Sequence, residues 1–177
     1  MIRCAALLKG VNVGGNRKLP MADLKAFVAG LGFANVQTLL ASGNVVFAAD
    51  EDPSLLEALL AERAKVALGI DTGWFVRSHT ELAAVVAANP FPDAAQARPS
   101  HLLVTFHHMP FPAPLIDGLE GHDGPERLAA VGRELFVDYP DGIGRSLLHK
   151  ATARLKFPTA ATARNWNTVT KLAALTA

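Results

Sequence analysis

The stretch Val36 to Ala48, with Leu40-Ala-Ser-Gly-Asn-Val-Val-Phe47 at its centre, decides the fold. Two runs, Val36 to Leu40 and Val45 to Ala48, read as strands joined tightly through Ser42-Gly43-Asn44, where glycine supplies the positive φ a hairpin turn needs. On the N-terminal side, Cys4 to Leu8 suits a short buried strand. After the loop Gly10 to Pro20, Met21, Leu24, Phe27, Val28 and Leu31 recur at helical spacing, and Gly30 and Gly32 supply the stop. On the C-terminal side, Asp52 offers an N-cap and Pro53 the first helical position of a helix that Gly69 closes. Thr72 to Arg77 supplies a fourth strand. The order strand, helix, strand, strand, helix, strand is the split βαβ arrangement called ferredoxin-like.

A similar order recurs after a linking helix opened by the capping box Ser78-His79-Thr80-Glu81 and ended before Asn89-Pro90. His101 to Phe106 reads as a strand, Leu115 to Leu119 as a short helix, and Arg127 to Ala130 with Glu134 to Val137 as a hairpin about Gly132. Ala129-Ala-Val-Gly-Arg-Glu-Leu-Phe136 thus parallels Leu40 to Phe47, with Gly43 and Gly132 in equivalent places. A helix from Gly144 to about Leu155 follows. The last strand is expected to be missing or very short, replaced by a helix beginning near Thr159 or Thr162. The expected fold class is α+β: two ferredoxin-like (βαββαβ-related) subdomains from a degenerate internal duplication, with a C-terminal helix. The expected boundaries are 1–78 for the first subdomain, 79–99 for the linking helix and loop, and 100–177 for the second with its terminal helix.

Half of the 177 residues are hydrophobic, which supplies core for such a pair. No apolar run approaches the roughly 20 residues needed to cross a bilayer, and Met1-Ile2-Arg3-Cys4 lacks the regions of a signal peptide. The expected location is therefore the cytoplasm, with no membrane partner. Cys4 is the only cysteine, which rules out an internal disulfide or a thiolate zinc cluster and reads as an inert buried thiol. His107 and His108 point to opposite faces at a strand end, and the remaining histidines show no ligand spacing, so no metal is expected. No cofactor is expected either: Gly10, Gly14 and Gly15 match neither the dinucleotide fingerprint nor a Walker A loop.

Charge is distributed unevenly. Six of the seventeen Lys and Arg, and none of the sixteen Asp and Glu, fall in Ile143 to Ala177, so this tail carries +6 and the rest −5. Such asymmetry points to an anionic partner or to a match between the two parts.

Three segments could serve an anion. Asn12, Gly14, Gly15, Arg17 and Lys18 lie in a glycine loop that opens onto a helix, a way to present backbone N–H groups; the plain alternative is a long turn. Ser42 and Asn44 sit in the first hairpin turn. Tyr139-Pro-Asp-Gly-Ile-Gly-Arg-Ser146 places Gly142, Gly144, Arg145 and Ser146 at a strand-to-helix junction that suits an oxyanion, although Asp141 there would repel a phosphate. In Thr162-Ala-Arg-Asn-Trp-Asn-Thr-Val-Thr-Lys-Leu172, Trp166, Val169 and Leu172 line one helical face, whereas Arg164, Asn167, Thr168 and Lys171 line another, with Asn165 beside them. That polar stripe is either a solvated face or a contact surface for phosphate, nucleic acid or a carboxylate.

Leu8 to Gly15, Leu40 to Phe47, Tyr139 to Ser146 and Thr162 to Leu172 together resemble the motifs, in order, of the bacterial DUF1697 family of unknown function. The resemblance implies a cytosolic α+β protein of two ferredoxin-related subdomains and brings no activity, ligand or catalytic residues. Leu147-Leu-His149 departs from the more polar residues expected there in relatives.

The first expectation for function is a cytosolic binding module for nucleic acid or a phosphorylated small ligand. An RNA-recognition sheet would display aromatics on its central strands, and Ser42 to Ala48 offers only Phe47. The alternatives are an enzyme acting on a small anionic substrate in the groove between subdomains, around Asn12, Asn44, Arg145, Arg164 and Asn165, and a structural or interaction protein whose tail helix docks. No residue pattern identifies a reaction.

Overall fold

The computed structural model describes residues 1–15, 17–119 and 122–177; Asn16, within the glycine loop, lies outside the described residues. The chain divides into two compact units, Met1–Ala84 with Lys171–Ala177, and Val85–Thr170.

The first unit runs β1 (Ile2–Leu8), α1 (Met21–Gly30), β2 (Ala34–Leu39), β3 (Asn44–Ala49), α2 (Pro53–Leu68) and β4 (Trp74–Ser78). Its strands form an antiparallel sheet in the order β2-β3-β1-β4. Local chemistry sets the ends. The Asp52 carboxylate accepts from Ser54 N at 2.8 Å, Pro53 stands at the first helical position, and Gly69 closes α2 at φ 65. Ser78 and Glu81 form the reciprocal capping box, Ser78 N donating to Glu81 Oε2 at 2.8 Å and Glu81 N to Ser78 Oγ at 3.2 Å. This opens α3 (His79–Ala87). One face of the sheet, with Leu8, Phe47 and Trp74, is packed by Leu24, Val28, Leu56 and Leu60 from the two helices. Burial pushes the Cys4 thiol up to about 11, with the charges of Glu81 and Asp52 adding, so it stays protonated. The C-terminus is fixed to β1 by the Arg3 guanidinium, which donates to Leu175 O at 2.6 Å and to Ala177 O.

The second unit contains α4 (Pro92–Ala97), β5 (Leu102–His107), α5 (Pro114–Asp117), β6 (Arg127–Val131), β7 (Glu134–Asp138), a 3₁₀ turn at Ile143–Arg145, α6 (Leu148–Arg154) and β8 (Ala161–Asn165). Its strand order, β6-β7-β5-β8, repeats that of the first sheet. The fold is therefore α+β with two ferredoxin-like sheets. Three details differ from the sequence reading. The fourth strand is present: β8 pairs with β5 from Leu103 opposite Asn165 to His107 opposite Ala161, and these ladder bonds outweigh the weak strand propensity of Ala and Asn. Arg164 and Asn165 consequently stand on a strand, and the last helix, α7 (Trp166–Leu175), starts only at Trp166. The helix expected from Gly144 is broken at Ser146, which is extended and whose Oγ accepts from Leu148 N at 3.0 Å.

An ion-pair network centred on the buried Asp138 anchors α4 and its flanks to β7. Asp138 is fully buried and receives Arg98 Nε at 2.9 Å and Nη2 at 2.5 Å, with Arg127 Nε at 3.0 Å. Arg127 also reaches Asp93 at 2.7 Å and lies over the Phe91 ring. Burial alone would raise Asp138, but the hydrogen bonds from Arg98 and Arg127 prevail and hold it below the usual carboxylate range.

At Gly43 a left-handed backbone and close neighbours leave no room for a side chain. The residue has φ 82, and an added Cβ would run into Val11 Cγ2 and lie 3.1 Å from Leu8 Cβ. Gly43→Ala is expected to cost at least about 1–2 kcal/mol of left-handed strain. That lowers Tm by roughly 2–8 °C in a thermal melt, at about 2–4 °C per kcal/mol for a chain of this size. Gly144→Ala, where an added Cβ meets open space, serves as the control and leaves Tm within about 1 °C.

Candidate functional site

Both sheets carry one hydrogen bond at the same place: Leu8 N donates to Gly43 O at 2.9 Å, and His107 N to Arg133 O at 3.1 Å. Leu8 lies opposite Trp74, and His107 opposite Ala161. These registers fix a residue-by-residue equivalence of the two units. Gly43 corresponds to Arg133 rather than to Gly132, because the first hairpin turns between Leu39 and Asn44 whereas the second turns between Val131 and Glu134 through Gly132 and Arg133 alone. Gly132, at φ 59, occupies the first loop position of that tighter turn.

On the helix-facing side, Leu8 is matched by His107, Ala6 by Thr105, Ala49 by Tyr139, Phe47 by Val137 and Trp74 by Ala161. The first unit is filled at these positions by two large rings. In the second unit those rings have become Val and Ala, and hydroxyls and an imidazole have replaced small or apolar side chains. The helix layer is thinner as well: α1 and α2 have 10 and 16 residues, α5 and α6 only 4 and 7.

The result is a cavity of about 210 Å³ between the second sheet and α6. Thr105, His107, Leu135 and Val137 form its floor, Phe111, Tyr139 and Phe157 its walls, and Ser146, Leu148, His149 and Thr152 its helical side. His107, Phe111 and Phe157 meet edge to face in sequence, with centroids 5.3 and 5.2 Å apart. Exposed Ile143 and His149 flank the opening. Among the described residues no Lys, Arg, Asp or Glu lines the cavity.

An acid, Glu126, stands immediately behind Ser146. It accepts from Ser146 Oγ through one oxygen and is bonded through the other to His122 Nε2 at 3.0 Å. Burial would raise this carboxyl, but the Ser146 and His122 hydrogen bonds outweigh it and hold Glu126 below the usual range. Tyr139 is shifted upward, by burial and by the charge of Glu126, so its phenol stays protonated. Thr105 and Tyr139 line the cavity, and each carries a hydroxyl that can donate or accept.

Of the segments singled out from sequence, only Tyr139 to Ser146 reaches this cavity, through Tyr139, Ile143 and Ser146; Asn12, Gly14, Gly15, Arg17, Lys18, Ser42, Asn44, Arg145, Arg164, Asn165, Asn167 and Lys171 do not line it. In the first unit, Asn12, Ser42 and Asn44 are brought together. Asn12 Nδ2 donates to Leu19 O and Ala41 O, both at 2.8 Å, and its Oδ1 accepts from Leu19 N at 2.8 Å, so it ties the glycine loop to the hairpin turn. Asn44 is fully buried and donates to Leu39 O and Ser42 Oγ. Gly14, Gly15, Arg17 and Lys18 are exposed on the same loop. In the second unit, Arg164 is buried and donates to Thr162 Oγ1 and Ala163 O, both at 2.8 Å. Burial pulls its guanidinium down to about 10, still charged at neutral pH. Asn165 caps α7 by accepting from Thr168 N at 3.0 Å. By register these two match Arg77 and Ser78. Arg145 and Asn167 are exposed in the second unit, and Lys171 is exposed in the first. The cavity residues carry little signal in the sequence. Ser146 stands in a motif read as an oxyanion site at a helix start, Tyr139 only opens that motif, and His107 reads only as half of an uninformative pair.

A family model described as a protein of unknown function, DUF1697, matches residues 1–136, ending inside β7, so the cavity residues from Tyr139 to Pro158 lie beyond the matched span. Among solved structures, the conserved bacterial protein SP0830 from Streptococcus pneumoniae is similar over 99% of each chain, with a TM-score of 0.76 at 22% identity. That likeness shows the fold. No curated protein matches the chain. Among the described residues no helix is long and apolar enough to cross a membrane.

Ser146 supports the cavity wall through Glu126, which gives it a measurable signature. Glu126 has a folded pKa below its unfolded value, so its contribution is complete above about pH 4.3 and is lost as the pH falls through the folded value. Ser146→Ala removes one of the bonds that hold the pKa down. The variant is expected to be less stable at pH 7 by about 1–3 kcal/mol, and the difference between its Tm and that of the wild type should shrink below pH 4. A constant difference across the titration would mean that the hydroxyl acts only through packing.

Proposed function

Starting from the fact that the chain belongs to the DUF1697 family of proteins of unknown function, we propose that it is a binding module for a small organic molecule held in the hollow core of its second ferredoxin-like unit. One observation carries this reading: at matched ladder positions the first unit places Trp74 and Phe47 where the second places Ala161 and Val137. An emptied core lined by several hydroxyls has the character of a ligand pocket, mostly apolar with a few polar groups. It is smaller than the usual drug-sized site of roughly 300–1,000 Å³, which points to a ligand of single-ring size.

Binding fits the side chains better than catalysis. A nucleophilic serine needs a base at its hydroxyl, but Ser146 faces Glu126, a carboxylate held below its ordinary range and already bonded to His122. The cavity also does not favour a phosphorylated ligand, because a buried phosphate without a cation is expensive.

Recognition of a phosphorylated ligand or nucleic acid is supported at a different place. In the first unit Gly14 and Gly15 are consecutive left-handed residues, at φ 61 and 77, beside exposed Arg17 on a loop pinned by Asn12. Successive backbone N–H groups in such turns can converge on an anion.

The two readings separate in one set of melts. A ligand of the cavity at 100 times its Kd stabilises by about 2.7 kcal/mol, or roughly 5–10 °C, and the shift should vanish in Thr105→Phe, which fills the floor, while Arg17→Ala leaves it unchanged. The reverse pattern, with stabilisation by inorganic phosphate or short RNA that falls steeply with salt, would place function on the loop.

A further inference from the structure

The chemistry of the cavity wall narrows what it can hold. Among the described residues no Lys, Arg, Asp or Glu lines it, and the carboxylate of Glu126 lies one hydrogen bond behind Ser146. An anion entering would lose its water without meeting a cation and would approach that carboxylate. Glu126 is in turn already bonded to His122 and Ser146, so it is not available as the counter-charge of a cation. The walls are aromatic: Phe111 stands edge to face with both His107 and Phe157, and Tyr139 adds a further ring. Such surfaces favour another planar ring, whose edge or face can join the array. Polarity comes from hydroxyls, from the buried imidazole of His107 on the floor and from His149 at the opening. Thr105 and Tyr139 can each donate or accept, which suits a group with both functions. In size, about 210 Å³ exceeds the roughly 150 Å³ that admits benzene in an engineered apolar cavity, so a ring with one small substituent fits.

On these grounds, and resting on the binding reading above, we infer that the occupant is an uncharged, planar aromatic or heteroaromatic molecule bearing one hydrogen-bonding edge, such as an amide or a ring N–H, that meets Tyr139 and Thr105. The hydroxyls select the polar edge, the rings select planarity, and the buried Glu126 excludes anions of the same shape.

The test is calorimetric titration of the full chain with benzamide, indole, cyclohexanecarboxamide, benzoate and phenyl phosphate. Benzamide and indole are expected to bind at least tenfold tighter than the other three. Tyr139→Phe should weaken benzamide by about three- to tenfold, the worth of one hydrogen bond, and Thr105→Val, nearly equal in volume, by a similar factor if Tyr139→Phe proves unstable in a melt. Benzoate or phenyl phosphate binding as tightly as benzamide overturns the inference, as does equal binding of the saturated amide. Xenon distinguishes the failure of this inference from failure of its premise. If no probe binds but xenon shifts the methyl resonances of Leu135 and Val137, the cavity accepts guests and the ligand class is wrong. If neither probes nor xenon enter, the binding reading falls and this inference with it.

Discussion

The pairing of each first strand with its third, β1 with β3 and β5 with β7, is the constraint on which both halves of the molecule depend. These central antiparallel pairs share one register, marked by Leu8 N donating to Gly43 O and His107 N to Arg133 O. Because side chains alternate along a strand, that register decides which residues turn toward the helices. Everything that distinguishes the units is written on the same lattice of positions. Equivalent sites in two sheets can therefore be compared as one would compare a residue with its substitution.

That comparison explains why one unit is filled and the other hollow. Four strands need a helical layer long enough to cover their inward face, and α2, with 16 residues, does so around Trp74 and Phe47. The 7-residue α6 cannot. Were the remaining 210 Å³ closed and dry, it would cost on the order of 5 kcal/mol at roughly 24 cal/mol per Å³. That is a large part of the 5–15 kcal/mol of a typical domain. The side chains relieve the penalty in the available ways: the cavity opens to solvent near Ile143 and His149, and hydroxyls line it. The Asp138 network fixes β7 between the cavity residues Val137 and Tyr139, with two arginines satisfying one buried carboxylate.

Much of this architecture is legible in the sequence because it depends on local chemistry. The capping box at Ser78 and Glu81, the N-cap at Asp52 and the hairpin glycines are each read from a few neighbouring residues. What depends on pairing is not legible. Ala161-Thr-Ala-Arg-Asn165 has few strand formers and becomes a strand because β5 offers it a ladder. The equivalence of the hairpins is hidden by a difference in turn length, which draws Gly132 onto Gly43 in any alignment by eye although Arg133 holds the matching place. The cavity is harder still. It consists of missing volume, and an alanine at position 161 signifies a removed indole only once the ladders show that it stands where Trp74 does.

The charge asymmetry of the chain acquires a narrower meaning on the same basis. Of the six cations in the tail, Arg164 is buried at the ladder position of Arg77, and each of the two donates to the carbonyl of the preceding residue, at 2.8 and 2.9 Å. Both precede the residue that caps the next helix, Asn165 or Ser78. A motif of buried arginine followed by a cap thus recurs at the end of each sheet, and Arg164 belongs to the repeat before it belongs to any binding surface. Arg145, Lys150, Arg154, Lys156 and Lys171 remain exposed, where salt screens their field within about 8 Å. Such a field can draw a charged partner to the surface, but the interior of the second unit is selected by shape and by neutral hydroxyls, so the sequence feature that dominates the charge map and the structural feature that can hold a ligand answer to different physics.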